Sequence, residues 1–382
     1  MKSKNLILLS IMAMALTGCN QANQGGSSAV TKDQVELTDM VGRKVEIDRN
    51  AIKKVVCIGA GALRLYSYVG DIKLISGVED IDRSVNANRF EGAARPYYDL
   101  HKEYLATLPS VGIGGPMNQF AEPEKIIEAE PDLIISEYED VKKADDLQNQ
   151  LRTPVLVVSY GGPNVFGDSV KGSIELLGKA LKKESRAAEL NQYIATCKTE
   201  LTDKVKDVKE EDQPTFYIGC LGNWGRQSFL STSKQFPAFS ISKINNAAKD
   251  LTVDDKGNID LEKLIDVDPD KIILDAAGVD LFKEEYKKST ATYDVMKAFT
   301  NDELYLEMAF NAYYTNLEIA LMNCYYIASL AYPTLYEGFD IAAKSNEITN
   351  AFLGKEMYND IKTKQYSYGG YQRITDLATF GE

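Results

Sequence analysis

Short apolar runs rich in β-branched residues alternate along this chain with stretches of helical period. Residues 55–58, 74–78, 132–136, 155–159, 215–219 and 271–274 have the length and composition of strands. Several are apolar almost throughout, as suits a strand covered on both faces. Between them, residues 62–69, 123–129 and 261–266 have helical spacing. Strand and helix in regular alternation predict parallel α/β units rather than a sandwich or a bundle.

One block occurs twice. EKIIEAEPDLII at 124–135 returns as EKLIDVDPDKII at 262–273. In each copy a helix must end before the Pro-Asp step, because the residue preceding proline is driven from the helical region, and an apolar strand follows at once. Two copies imply two similar lobes. Between them, from about Ser169 to Lys206, runs a polar helical stretch with apolar Leu176, Leu177, Leu181, Leu190, Ile194 and Leu201, which predicts a stiff connector. Segment 80–115 is long for a strand connection. It either reshapes the mouth of a cleft or adds a surface helix over 95–105.

The N-terminus sets the compartment. Lys2 and Lys4 precede an apolar run from Leu6 to Leu16 and then Leu16-Thr17-Gly18-Cys19. Roughly 20 apolar residues are needed to span a bilayer, so this run is a leader, cut before Cys19. Cys19 is the expected lipidation site, and two acyl chains there would give lasting membrane attachment. Asn20 to Ser28, rich in Gly, Ser, Asn and Gln, is an expected flexible tether. The resulting division is a signal peptide over 1–18, a lipidated tether over 19–30, an N-terminal lobe over 31–168, a helical connector over 169–210 and a C-terminal lobe over 211–382.

Charge and composition narrow the chemistry. A net charge of −13, made more negative by loss of Lys2 and Lys4 with the leader, argues against nucleic acid or an anionic lipid surface as the main partner. A monomer attached to the membrane through its lipid anchor alone fits this balance. Cys57, Cys197, Cys220 and Cys324 fall in no metal-type spacing, and buried free thiols rather than disulfides are expected. His101 is the chain's single histidine. A catalytic triad, a Cys-His pair or a multi-histidine metal site would have to be built on it alone. A non-enzyme with no bound cofactor and no protein metal site is the expectation, with His101 facing solvent or a cleft edge.

These segments together resemble the substrate-binding proteins of iron-siderophore and cobalamin ABC importers. The residues that carry the resemblance are Thr38-Asp39 with Gly42-Arg43 and Val45, the Lys54-Val55-Val56 strand leading to Gly59-Ala60-Gly61-Ala62-Leu63-Arg64-Leu65, and the two repeat blocks. The resemblance implies an α/β fold of two Rossmann-like lobes joined by a single long helix, with a ligand cleft between the lobes. It also implies that Glu124 and Glu262, one per lobe, dock on arginines of the permease subunits. Exposed carboxylates suit charge-assisted bidentate pairing of that kind. Two glutamates solvated at helix starts would look the same in sequence.

The ligand is expected where strand ends and loops converge. Arg64 either reaches that cleft or solvates its own helix. Arg95 with Tyr97, Tyr138, Tyr160, Trp224 with Arg226, and Tyr313 of the Tyr313–Tyr314 pair complete the candidate set. Aromatic faces with arginine forks suit a flat or anionic chelate. The expected partner is a metal chelate bound reversibly, an iron(III)-siderophore first, with a corrinoid or haem as alternative. A free-metal receptor is disfavoured by the single histidine. An adhesin or sensor lipoprotein without a transport role is the alternative of another class.

Overall fold

The computed structural model describes residues 31–83, 94–115, 121–222 and 225–382. Among these, strands β1 (Gln34–Thr38) and β2 (Lys44–Asp48) form an antiparallel hairpin. Then come β3 (Val55–Ile58), β4 (Ile75–Gly77), β5 (Leu133–Ser136) and β6 (Val155–Val157), a parallel sheet in the order β4-β3-β5-β6. A second sheet holds β7 (Thr215–Gly219), β8 (Asn245–Asn246), β9 (Lys271–Asp275), β10 (Leu304–Glu307) and β11 (Gln372–Ile374), in the order β11-β10-β9-β7-β8. In each lobe the first strand lies between the second and third, and the fourth flanks the third. Only β11 runs antiparallel in the second sheet.

The repeated block occupies the same place in both lobes, entering the third strand. Glu130 and Asp268, each preceding the proline, take left-handed φ of 46° and 49°, the helical break that proline enforces. The following aspartates then tie third strand to first. Asp132 Oδ2 accepts the amides of Lys53 and Lys54 at 2.8 Å, and Asp270 Oδ2 accepts that of Thr215 at 2.7 Å.

The opening hairpin is latched to the edge of the first sheet. Asp39 Oδ2 accepts Arg43 Nη1 at 2.9 Å, while Arg43 donates onward to the Val155 carbonyl at 2.9 Å and through Nε to Asp145 at 2.7 Å. Gly42 makes the tight turn between them at φ +83°, with open space around it.

The connector divides in two. Asp168–Leu181 packs along the first lobe, Lys182 turns the chain at φ 57°, and the single long helix Glu184–Lys204 then crosses to the second lobe. The stretch expected as continuous from about Ser169 to Lys206 is interrupted because Lys182 caps the first helix in the left-handed conformation. One hydrophobic cluster runs through the molecule, from Val55, Leu133 and Leu156 through Leu190, Ile194 and Leu201 to Phe216, Ile273 and Ile327. Smaller clusters cover the outer face of each sheet, around Ile134 and Val155 in one lobe and Leu274 and Leu306 in the other. Alternation with period two assigns β3 accordingly: Val55 and Cys57 face the shared cluster, Val56 and Ile58 the outer one.

The four cysteines at 57, 197, 220 and 324 are buried and unpaired with one another. Arg43→Ala leaves the Asp39 carboxylate buried without its cation, and truncating one partner of a buried pair costs about 3–5 kcal/mol. Chemical denaturation should show that loss as an early transition of the first lobe, whereas Lys44→Ala, which breaks the exposed pair with Glu36, should change the midpoint little.

Candidate ligand-binding site between the lobes

The strand ends of both lobes meet at one loop. After β10 the chain runs through residues 308–316 toward the first lobe, pinched by the isolated bridge between Asn311 and Thr315. Tyr313 and Tyr314 are consecutively left-handed, at φ 55° and 68°, a conformation that costs an L residue on the order of 1–2 kcal/mol. Contacts across the lobes hold it there. Arg64, fully buried, donates Nη2 to the Ala312 carbonyl at 2.6 Å, Nη1 to that of Tyr313 at 2.9 Å and Nε to Asn316 Oδ1 at 3.0 Å. Its guanidinium also lies 4.8 Å over the Tyr97 ring.

Tyr313 inserts into the first lobe, where its hydroxyl donates to Glu79 Oε2 at 2.6 Å and accepts from the Gly115 amide at 3.1 Å. Tyr138 donates to the other oxygen of Glu79 at 3.2 Å, and the Gly59 amide donates as well. Burial pushes the Glu79 carboxyl up to about 7, against the Tyr313 and Gly59 hydrogen bonds that favour its charged form. Deeper in the seam Tyr68 donates to Glu318 at 2.5 Å. The turn after β3 is shaped for this closeness. A Cβ on Gly61, at φ +79°, would stand 2.6 Å from the Tyr160 hydroxyl and 3.0 Å from Arg64 Nη1.

The residues expected at a ligand therefore separate into two groups. Arg64, Arg95, Tyr97 and Tyr313 are in the seam rather than on a cleft wall, each 5% exposed or less. Arg95 donates to the Ile81 carbonyl and to Asp82, and Tyr97 donates to the same carboxylate at 2.6 Å. Tyr160 is also buried, its hydroxyl given to the Gly61 carbonyl at 3.0 Å while its ring stacks on Tyr314 at 4.4 Å. Tyr138 and Tyr314 are half-buried, so of the tyrosine pair it is Tyr314, not Tyr313, that keeps exposed surface. The paired left-handed φ values set which of the two turns inward, and no sequence pattern announces them.

Arg226, half-buried, is paired with Asp280, donates to the Ala277 carbonyl at 2.8 Å and stacks 4.4 Å from the Tyr366 ring. Trp224 and Cys19 lie outside the described residues. His101 sits half-buried on the helix Pro96–Leu105, its pKa lowered by burial and by the Lys73 charge. That helix is the extra one suggested for segment 80–115, and it supplies the seam with Arg95 and Tyr97.

Acids are the groups the sequence reading missed. Glu137, which follows β5, and Asp275, which ends β9, occupy matching places in the two repeats. Burial raises Glu137 to about 8, reinforced by the charges of Glu139 and Glu79. Burial raises Asp275 to about 7, opposed by the amides of Ala277 and Gly222. Glu307, beside Asp275 in the β9–β10 register, is fully buried with neither oxygen hydrogen-bonded among the described residues. The signal was in the repeat, where an acid follows the apolar strand in both copies. Glu124 and Glu262 are exposed, each in the first turn of its helix, Pro123–Glu128 and Leu261–Val267. Among the described residues no three His, Cys, Asp or Glu side chains are placed to hold a metal ion, and no helix is long and apolar enough to cross a membrane.

Residues 55–234 match the family model described as periplasmic binding protein. An ABC transporter substrate-binding lipoprotein of Bacillus subtilis, itself uncharacterised, is 22% identical over 277 residues, covering 69% of this chain and 78% of its own. A periplasmic solute binding protein from Veillonella parvula superposes with a TM-score of 0.66 at 19% identity, over 87% of this chain and 96% of its own. The molybdate-bound MolA of Haemophilus influenzae does so at 0.63 and 17%, over 84% and 98%. At these identities the solved structures establish the fold.

The folded state keeps the Glu79 proton up to about pH 7, whereas an ordinary carboxyl loses it near 4.5. Between those values the native state binds more protons than the unfolded one. Its contribution to stability is therefore complete below about 4.5 and is lost as pH rises through 7. Glu79→Gln should flatten the fall in melting temperature between pH 5.5 and 8 relative to the parent. Glu137 and Asp275, raised in the same way, contribute to the slope that remains.

Proposed function

We propose, for a chain that belongs to the periplasmic binding protein family and serves an ABC transporter as its substrate-binding component, that its cargo is a metal chelate. An iron(III)-siderophore is the first choice and a corrinoid or haem the second. The observation that supports this reading is the meeting of both lobes at the loop after β10, beside half-buried Tyr138 and Tyr314. Half-buried Tyr138 and Tyr314, the latter stacked on Tyr160, provide flat faces with polar edges that suit the organic shell of a chelate. No covalent step is required of the protein. Capture and release suffice, and no bound cofactor is invoked.

The mature chain is a monomer attached outside the cytoplasm through Cys19, with the tether to residue 30 lifting the lobes off the membrane. Glu124 and Glu262 are its docking points on the permease. Their support is exposure, one on each lobe, at corresponding positions of the repeat, within reach of arginines that can pair with both oxygens of a carboxylate. Two such anchors set orientation as well as affinity.

Glu124→Lys with Glu262→Lys should abolish transport of a labelled ferric siderophore into cells while the mature protein still binds it by calorimetry. Single reversals should give intermediate uptake. Wild-type uptake by the double variant would remove the docking assignment.

A further inference from the structure

The chemistry around the cleft differs from what an anionic chelate would need. Three arginines were expected to meet the ligand, and each already serves a protein partner. Arg64 is bonded to the Ala312 and Tyr313 carbonyls and to Asn316, Arg95 to Asp82 and the Ile81 carbonyl, and Arg226 to Asp280 and the Ala277 carbonyl. Redirecting Arg64 would strip three buried acceptors on the other lobe, and an unmade buried hydrogen bond is costly.

The strand ends present carboxyl groups instead. Glu137 stands over the first-strand turn, where a Cβ on Gly59 would lie 3.2 Å from its own Cβ. It is half-buried. Unlike Glu79 it accepts no hydrogen bond from a described residue, and unlike Glu139, which accepts Ser159 Oγ at 2.7 Å, it is not held by a neighbour. Among the described residues its titratable surroundings are Glu139, Glu79, Tyr138, Tyr160 and Tyr314, acids and neutral rings, with Arg64 behind Tyr160 at 3.4 Å and bound to the other lobe's carbonyls. The corresponding strand ends of the other lobe hold Asp275 and Glu307, both fully buried, the second with both oxygens unpartnered among the described residues.

Resting on the chelate-capture reading, we infer that the cargo carries a neutral or positive charge and that Glu137 is the residue that selects for it. A polyanion brought to this wall is partly desolvated beside acids and rings while Arg64, Arg95 and Arg226 are already committed to protein partners, so its charge is left without a counter-charge. A cationic chelate meets an acceptor that no described residue occupies. Aromatic faces at Tyr138 and Tyr314 serve such a ligand too, since a cation is drawn to the face of a ring. Specificity then comes mainly from leaving the wrong charge desolvated and unpaired.

The inference carries a proton signature. Glu137, raised to about 8, holds its proton at pH 7 in the free protein, and a cation beside it favours the charged form. Binding a cationic chelate should therefore release a proton at pH 7, and affinity should rise with pH up to about 8. A neutral ligand gains nothing from that ionisation.

Calorimetry on the mature protein in detergent distinguishes the cases. The probes are a monocationic ferric trihydroxamate, a trianionic ferric tricatecholate, haem with its two propionates, and the corrinoid pair of cationic aquocobalamin and neutral cyanocobalamin. The expected result is binding of a cationic or neutral member at least about a hundredfold tighter than tricatecholate or haem. For a cationic binder, buffers of different ionisation enthalpy should report proton release at pH 7. Glu137→Gln should weaken that binder about tenfold and abolish the release. Tricatecholate or haem binding as tightly as the best neutral or cationic probe would overturn the charge assignment and leave chelate capture standing. Unchanged affinity and proton release in Glu137→Gln would remove Glu137 as the selecting residue. Failure of every probe to bind would remove the chelate reading and this inference with it.

Discussion

The guanidinium of Arg64 is the constraint on which the arrangement of the lobes depends. A fully buried cation survives only where its donors are matched, and all three of its nitrogens are matched across the lobe boundary by Ala312, Tyr313 and Asn316. Those partners fix the loop after β10 in a conformation that an L residue adopts reluctantly. The loop in turn delivers the Tyr313 hydroxyl to Glu79 and leaves Tyr314 half-buried, stacked on Tyr160. Lobe placement, loop strain and cleft lining thus follow from one buried charge.

The rest of the seam reinforces this. Tyr68 meets Glu318, Lys364 meets Asp99, and Arg186 on the connecting helix donates to the carbonyls of Tyr68, Ala351 and Phe352. A hydrophobic cluster continuous through both lobes lies beneath these contacts. Two domains with a small polar interface are expected to move relative to one another, whereas a boundary with a shared core and buried polar contacts across it resists it. A boundary held in this way would lower the ordering cost of binding at a site beside it.

The fold was legible in the sequence wherever periodicity and punctuation acted together. β3 and β7 fall where the apolar runs placed them, and the Pro-Asp steps at 131–132 and 269–270 mark the third strand of each lobe. β10 and β11 escaped notice because Leu304–Glu307 mixes polar with apolar residues and Gln372–Ile374 is a three-residue antiparallel edge. The cleft was harder to read. Arginine and tyrosine near strand ends look alike in sequence whether they face a ligand or another lobe, and Arg64 faces the lobe because Asn316 and two carbonyls, about 250 positions away in the chain, accept from it. Glu79 and Glu307 gave no signal at all, since burial of an acid is decided by packing from distant segments. Glu137 and Asp275 could have been found by extending the repeat by two residues.

The most direct test of a pre-set cleft is the distance between the lobes in the ligand-free protein. Cysteines introduced for Glu124 and Glu262, both exposed, can be spin-labelled selectively because the four cysteines at 57, 197, 220 and 324 are buried. Double electron–electron resonance should give one narrow distance distribution that chelate does not shift, and that broadens in Arg64→Ala. A broad or two-peaked distribution in the parent protein, collapsing to one peak on ligand addition, would contradict a cleft fixed by the Arg64 seam.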